Sequence, residues 1–281
     1  MPPTSFWAMW DFPPVVCSEL ALVSLIYTIG FLRIRRSRPR IFDPWRWWCF
    51  MSGIAALVIA LSSPLDTLDD RLLVIHMMQH FVLMSIAPPL ILLGAPVVPM
   101  LRGLPRPFVR GVLGPLIRVQ TIRRFFHALV QPKVAWLLMV LSYISWHVPA
   151  AYEATLANEN IHNCEHACFF FSNILFWWPI IEPWPSHFKG SRWLLLPYLF
   201  FAGVVNTGIS AFLIFSGRLI YPSYGEHPGM FGLSPLADQA AAGAFMWVAN
   251  SIVFIIPAYA ITLELLSPRK VRIWKAQTTV R

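Results

Sequence analysis

Residues 71–94 read RLLVIHMMQHFVLMSIAPPLILLG. After Arg71 the run holds no Asp, Glu, Lys or Arg, and at about 20 residues it is long enough to cross a bilayer as a helix. It nevertheless carries His76 and His80, spaced four apart. Ionisable side chains inside a lipid-spanning segment are costly and mark functional sites. A second pair with the same spacing, His162 and His166, lies in another apolar segment. Pro88 and Pro89 should kink or break the inner half of residues 71–94, because a proline removes an N–H and crowds the preceding turn.

The rest of the chain has the same character. Of 281 residues, 57% are hydrophobic and only 12% charged, about half the charged fraction of soluble domains. Thirteen Trp and 21 Phe suit the aromatic belts of membrane–water interfaces. The formal charge of +9 could suggest nucleic acid, but the basic residues sit in short loops between apolar runs, so no nucleic-acid partner is expected. Cys17, Cys49, Cys164 and Cys168 show no CxxC spacing and fit neither a disulfide framework nor a zinc ribbon. The segment before Pro14 lacks a basic n-region, so no cleavable signal is expected. No repeat or linker divides the chain, and residues 1–281 read as a single transmembrane helical domain.

The expected fold is all-α, a polytopic membrane helix bundle with seven transmembrane helices. Apolar runs at about 15–34, 45–63, 71–94, 134–151, 160–182, 193–216 and 238–264 supply them. Alternate connections hold 20 and 2 of the 22 Lys and Arg residues. The sparse side contains only Arg71 and Arg218. The positive-inside rule then puts the N-terminus outside and the C-terminus inside. Residues 105–126 alternate basic and apolar side chains and suggest a cytoplasmic interfacial helix. In this orientation His127 and His187 are cytoplasmic, whereas the other histidines of the spans lie toward the outside.

Side chains at i and i+4 share one helix face, so each pair can aim two imidazoles at one point. His76, His80, His162 and His166 are therefore candidate metal ligands, with His147 beside them at the outer end of the fourth run. Imidazole suits zinc, copper, iron and nickel. Met84 continues the His76–His80 stripe and Met77 flanks it; thioether ligation would favour copper, although Met is also an ordinary packing residue. Asp66, Asp69 and Asp70 could form an acidic vestibule that attracts a cation. Asp238 could cap the seventh run or serve the site. Cys164 and Cys168 are out of phase with the histidines and read as packing residues. His162 to His166 also matches H-x-x-E-H, in which Glu165 would be the general base of an intramembrane zinc metallohydrolase. Otherwise Glu165 orients an imidazole. Axial haem ligation by histidines from two helices is the third option.

Several blocks in order resemble the polytopic CtaG-type cytochrome c oxidase assembly factors. They are His76-Met77-Met78-Gln79-His80 with Ala87-Pro88-Pro89-Leu90 and Leu93-Gly94-Ala95-Pro96, Trp146-His147-Val148-Pro149-Ala150-Ala151-Tyr152, His162-x-x-Glu165-His166 and Phe176-Trp177-Trp178-Pro179. Ser234-Pro235-Leu236-Ala237-Asp238-Gln239 with Met246-Trp247 completes the set. Ala241-Ala242-Gly243 replaces a Gly pair expected after the last block. The resemblance implies a non-enzymatic assembly factor in the bacterial cytoplasmic membrane. It would take copper from a periplasmic donor and supply it to a haem–copper oxidase subunit. Zinc or haem remain the alternative occupants.

Overall fold

The computed structural model describes residues 9–37, 42–186, 190–226 and 232–267. Arg38, Arg40, Lys189 and the basic tail 269–281, which entered the charge count, lie outside them, as does His187. Among the described residues the regular structure is helical, with no strand. Ten helices carry the architecture. The first half contains α1 (Pro14–Arg35), α2 (Pro44–Ser62), α3 (Leu73–Leu93), the short α4 (Val97–Gly103) and α5 (Gln120–Leu129). The second half contains α6 (Pro132–Trp146), α7 (Pro149–Ala157), α8 (Glu159–Ile181), α9 (Leu195–Phe215) and α10 (Pro235–Leu266). Helices α1, α2, α6, α7 and α10 each begin on a proline, whose missing N–H is harmless in the first turn and whose φ is already helical.

Among the described residues five helices are long and apolar enough to cross a membrane, and a sixth if α5 and α6, bent by 65°, count as one. This is a multi-pass membrane protein. The fourth and fifth expected spans fall short of the same test for different reasons. With 15 residues, α6 extends about 22 Å against a hydrocarbon core of about 30 Å, because Pro149 restarts the chain as α7. Helix α8 has 23 residues, but its first turns carry Glu159, Asn160, His162, Asn163, Glu165 and His166. Residues 105–126 do not form one interfacial helix either. Arg106–Phe108, Val109–Leu113 and Gly114–Arg118 run on as one helical stretch with a π-turn at its centre, and extended backbone at Val119 separates it from α5. No side chain in this stretch or in α5 is buried.

Helix α3 is the axle of the bundle. It packs on α10 along its first half and on α2 and α8 along its second. Leu73, Met77, Met84 and Leu92 enter a hydrophobic cluster shared with α6, α8, α9 and α10. Leu83, Ala87 and Ile91 enter a second cluster built on α1 and α2. The predicted proline break takes the form of a π-turn, Val82–Ile86, in which the Ala87 N–H reaches the Val82 carbonyl. The residues four and five beyond Met84 are Pro88 and Pro89, which have no N–H to offer its carbonyl. The Trp177 indole of α8 donates to that oxygen instead, at 3.1 Å, as a low-dielectric interior requires.

The two ends of α3 are also satisfied from elsewhere. Leu72 provides no side-chain cap. The buried Asp238 of α10 accepts from the amides of Leu73 at 2.7 Å and Val74 at 3.1 Å. Ser234, not Asp238, caps α10 itself, accepting from the Ala237 amide. The aspartate is thus a cap, as the sequence suggested, but for another helix. At the far end Arg46 donates to the Leu93 carbonyl at 3.0 Å and Tyr27 to the Gly94 carbonyl at 2.8 Å.

Close helix crossings rely on glycine. A Cβ on Gly30 would stand 1.8 Å from the Pro99 carbonyl oxygen, and one on Gly103 1.9 Å from that of Ile26, so α1 and α4 touch backbone to backbone. Gly243 does the same for α10 against α9, where a Cβ would meet the Ser210 carbonyl at 2.8 Å.

The Asp238→Ala variant should retain its helical content but lose roughly 2 kcal/mol of stability. Asp238→Asn should lose less. Thermal unfolding in detergent, followed by circular dichroism, checks this; an unchanged midpoint for the alanine variant would contradict the cap.

Candidate metal centre

Both histidine pairs lie in the first two turns of their helices, and both helix starts are pinned. Asp238 pins α3, while the Asn158 side chain accepts from the amides of Asn160 and Ile161 to start α8. The i,i+4 spacing turns His76 and His80 toward α8, and Glu165 from α8 enters between them. Its Oε2 lies 3.8 Å from His76 Nε2 and 3.7 Å from His80 Nε2. One donor atom each from His76, His80, His162 and Glu165 falls within 4.8 Å of all the others. With bonds of about 2.1 Å, ligands on opposite sides of one ion stand about 4 Å apart. Small side-chain rotations would bring this group to that scale.

The group is buried. His76 and Glu165 are fully enclosed, and His162, with 18% of its side chain exposed, opens toward the loop that precedes α3. From that loop Asp69 Oδ2 stands 3.4 Å from His162 Nε2 and 3.9 Å from His76 Nδ1. Burial, reinforced by the charges of Asp66 and Asp70, pushes the Asp69 carboxyl up to about 8; a cation beside it would act in the opposite direction.

The polar atoms of the cluster are otherwise unsatisfied. Among the described residues, His76 Nε2, both His80 nitrogens, His162 Nε2, His166 Nε2 and both Glu165 oxygens have no hydrogen-bond partner. A buried polar group left without a partner costs about 1–3 kcal/mol, and native proteins keep few of them. So many together, all imidazole nitrogen or carboxylate oxygen, suit a borderline metal cation such as zinc, copper, iron or nickel.

The structure sorts the candidate residues by position. His166 stands beside the group, its ring 4.1 Å from that of His162 and 5.3 Å from that of His80. His147 is held by its Nδ1 on the Tyr143 carbonyl at 2.7 Å and shares Phe169 as a neighbour with His80. Met77 and Met84 are buried in the hydrophobic cluster. Asp66 accepts from Gln79 at 2.7 Å, and Asp70 is exposed beside Arg71, so Asp69 alone of the loop acids reaches the imidazoles. Asp238 has both oxygens on backbone amides. Cys164 is exposed and Cys168 intermediate, so Cys164 is not the packing residue the phase argument suggested. Glu165 belongs among the close donors, a position open both to a ligand and to a base acting on a metal-bound water.

Sequence reasoning missed an aromatic cover. Tyr224 donates to the Asp69 carbonyl at 2.7 Å and lies 3.0 Å from the Tyr152 hydroxyl and 3.4 Å from His76 Nδ1. Tyr152 stacks on Tyr221 at 4.0 Å, whose hydroxyl donates to the His147 carbonyl. Glu153 accepts from the Ser223 amide and hydroxyl and ties this turn to α7. Tyr152 was visible only as a member of the His147 block. Nothing local marks Tyr221 or Tyr224, since each acts across more than 70 residues of chain.

A family model described as cytochrome c oxidase caa3 assembly factor matches residues 25–267. An uncharacterised protein of Mycobacterium leprae is 26% identical over 277 residues. Uncharacterised proteins of Mycobacterium bovis and Mycobacterium tuberculosis are each 25% identical over 269 residues. These alignments cover 92% and 91% of this chain but only 40% and 39% of the relatives, so the chain spans about two fifths of their length. No solved structure matches.

In metal-stripped protein, Glu165→Met should raise the thermal midpoint, because it replaces an unpartnered buried carboxylate with an apolar side chain of similar volume. The same variant should lose any midpoint increase that metal gives the wild type. A lower metal-free midpoint would show that Glu165 is satisfied by the protein alone.

Proposed function

The chain belongs to the cytochrome c oxidase caa3 assembly factor family, and from that premise we propose that it binds copper as cargo and supplies it to a haem–copper oxidase subunit in the membrane. The observation that carries this reading is the group of four donor atoms within 4.8 Å, drawn from His76, His80, His162 and Glu165. Copper arrives from a donor on the periplasmic side, passes the loop of Asp66 and Asp69, and is held by that group. His166 and His147 stand in reserve at its margin. Imidazole nitrogen suits copper, and a carboxylate adds the negative charge that retains a cation. A transfer site needs a position that the incoming or outgoing partner can occupy, and the partly exposed His162 is suited to exchange.

The topology proposed with this function has seven spans in one domain, residues 1–281, in the bacterial cytoplasmic membrane. The N-terminus is outside and the C-terminus inside. In this arrangement α6 and α8 also cross the bilayer. Glu165 and His166 in the first turns of α8 are buried and Glu165 faces α3, which supports counting it as a span, while Glu159, Asn160 and Asn163 at its outer end are exposed.

Three experiments test these proposals. Purified wild-type protein should carry about one copper per chain, and the His76→Ala/Glu165→Gln variant should lose most of it; equal copper in both would remove the site assignment. The same variant should fail to restore oxidase copper content and activity in a strain lacking the protein. For topology, alkaline phosphatase fused after Asp70 or Gly225 should be active, and fused after Arg118 or Ser186 inactive. Activity after Ser186 would show that α8 does not cross.

A further inference from the structure

At the end of the bundle where α1 and α4 cross, five arginines converge on one groove of about 750 Å³, a size typical of ligand clefts. They are Arg33, Arg36, Arg102, Arg106 and Arg110, and no acidic residue lines the groove. Among the described residues none of the five is in an ion pair. Arg33 has a structural duty, since its Nη1 donates to the carbonyls of Arg102 at 2.6 Å and Gly103 at 3.4 Å. It thereby satisfies the end of α4 and fixes the wall from which Arg102 projects. The Gly30 and Gly103 crossing makes that wall rigid. Arg102, Arg106 and Arg110 then follow at intervals of four residues, free of such duties.

The groove is not basic throughout. Val98, Leu101 and Leu104 line it together with the arginines. It sits where the apolar stretch of α1 gives way to Arg33, Arg35 and Arg36, which is headgroup depth for a spanning helix. Converging guanidinium groups repel unless an anion lies among them, and arginine's planar fork matches phosphate oxygens. A free phosphate would use only the arginines, whereas an amphipathic anion would use the apolar lining as well.

We propose that this groove binds an anionic phospholipid, its phosphate held by Arg102, Arg106 and Arg110 and its acyl chains laid against Val98, Leu101 and Leu104. The lipid would hold the α1–α4 unit and the following basic segment at the membrane surface. The site is independent of the histidine cluster and of the copper reading.

The test is native mass spectrometry of the full chain released from nanodiscs containing equal phosphatidylglycerol and phosphatidylcholine. Each basic side chain near an anionic surface contributes about fivefold, so wild type should retain phosphatidylglycerol over phosphatidylcholine by at least about tenfold. Arg102→Gln/Arg106→Gln/Arg110→Gln should bring the ratio near unity. Arg118→Gln/Arg123→Gln/Arg124→Gln, on the neighbouring basic segment, should leave it unchanged. If the first variant does not fold, Arg106→Gln alone should still lower the ratio severalfold. Equal retention of both lipids by wild type would overturn the proposal, as would an unchanged ratio in Arg106→Gln. An equal loss in the control variant would point to a diffuse basic face and also overturn it. Displacement of phosphatidylglycerol by millimolar inorganic phosphate would overturn it in favour of a free-anion site.

Discussion

Backbone amides and carbonyls have no water to turn to inside a bilayer, and α3 leaves several of them open. Its N-terminus lacks its own cap, its middle is interrupted by Pro88 and Pro89, and its C-terminus ends inside the protein. Each gap is filled by a different helix: Asp238 from α10, Trp177 from α8, Arg46 from α2 and Tyr27 from α1. These contacts make α3 the element against which the others are registered. The position of His76 and His80 relative to Glu165 follows from the same bonds, because Trp177 and Glu165 both belong to α8.

The buried donors at the centre oppose this economy. Elsewhere along α3 the chain recruits distant residues to satisfy single polar atoms, yet around Glu165 it leaves many without a protein partner. Stability alone would select apolar residues there. The surroundings keep the group together at a cost, with Gln79 holding Asp66 and Ala60 on one side and Tyr224 holding Asp69 on the other. Gln239 does similar work nearby. It accepts from the Ile220 amide and donates to the carbonyls of Leu213 and Arg218, which anchors the segment leading to Tyr221 and Tyr224. Asp238 and Gln239, adjacent in sequence, thus fasten the two segments that border the site.

Much of this could be read from one-dimensional pattern. The apolar runs at 15–34, 45–63, 71–94, 193–216 and 238–264 each became a long helix, because length and hydropathy are local properties. The i,i+4 histidines announced a shared face for the same reason. What periodicity cannot give is the identity of the facing helix. Asp238 lies 165 residues from the amide it caps, and its Ser-Pro context correctly suggested a helix start while hiding which helix used its oxygens. Glu165 looked peripheral to the histidine pair that flanks it, since only the approach of α3 puts it at the centre. Met84 continues the ligand stripe in sequence; it falls within the π-turn and among the buried apolar residues.

The graded burial of the donors imposes an order on their use. His162 retains some contact with the outside, His80 almost none, and His76 and Glu165 none. In the proposed binding reaction a cation coming from water would meet His162 and Asp69 first and His76, His80 and Glu165 after them. Departure would retrace the same steps. The cluster is a short staircase with its upper tread at His162 and its lower ones at His80, His76 and Glu165.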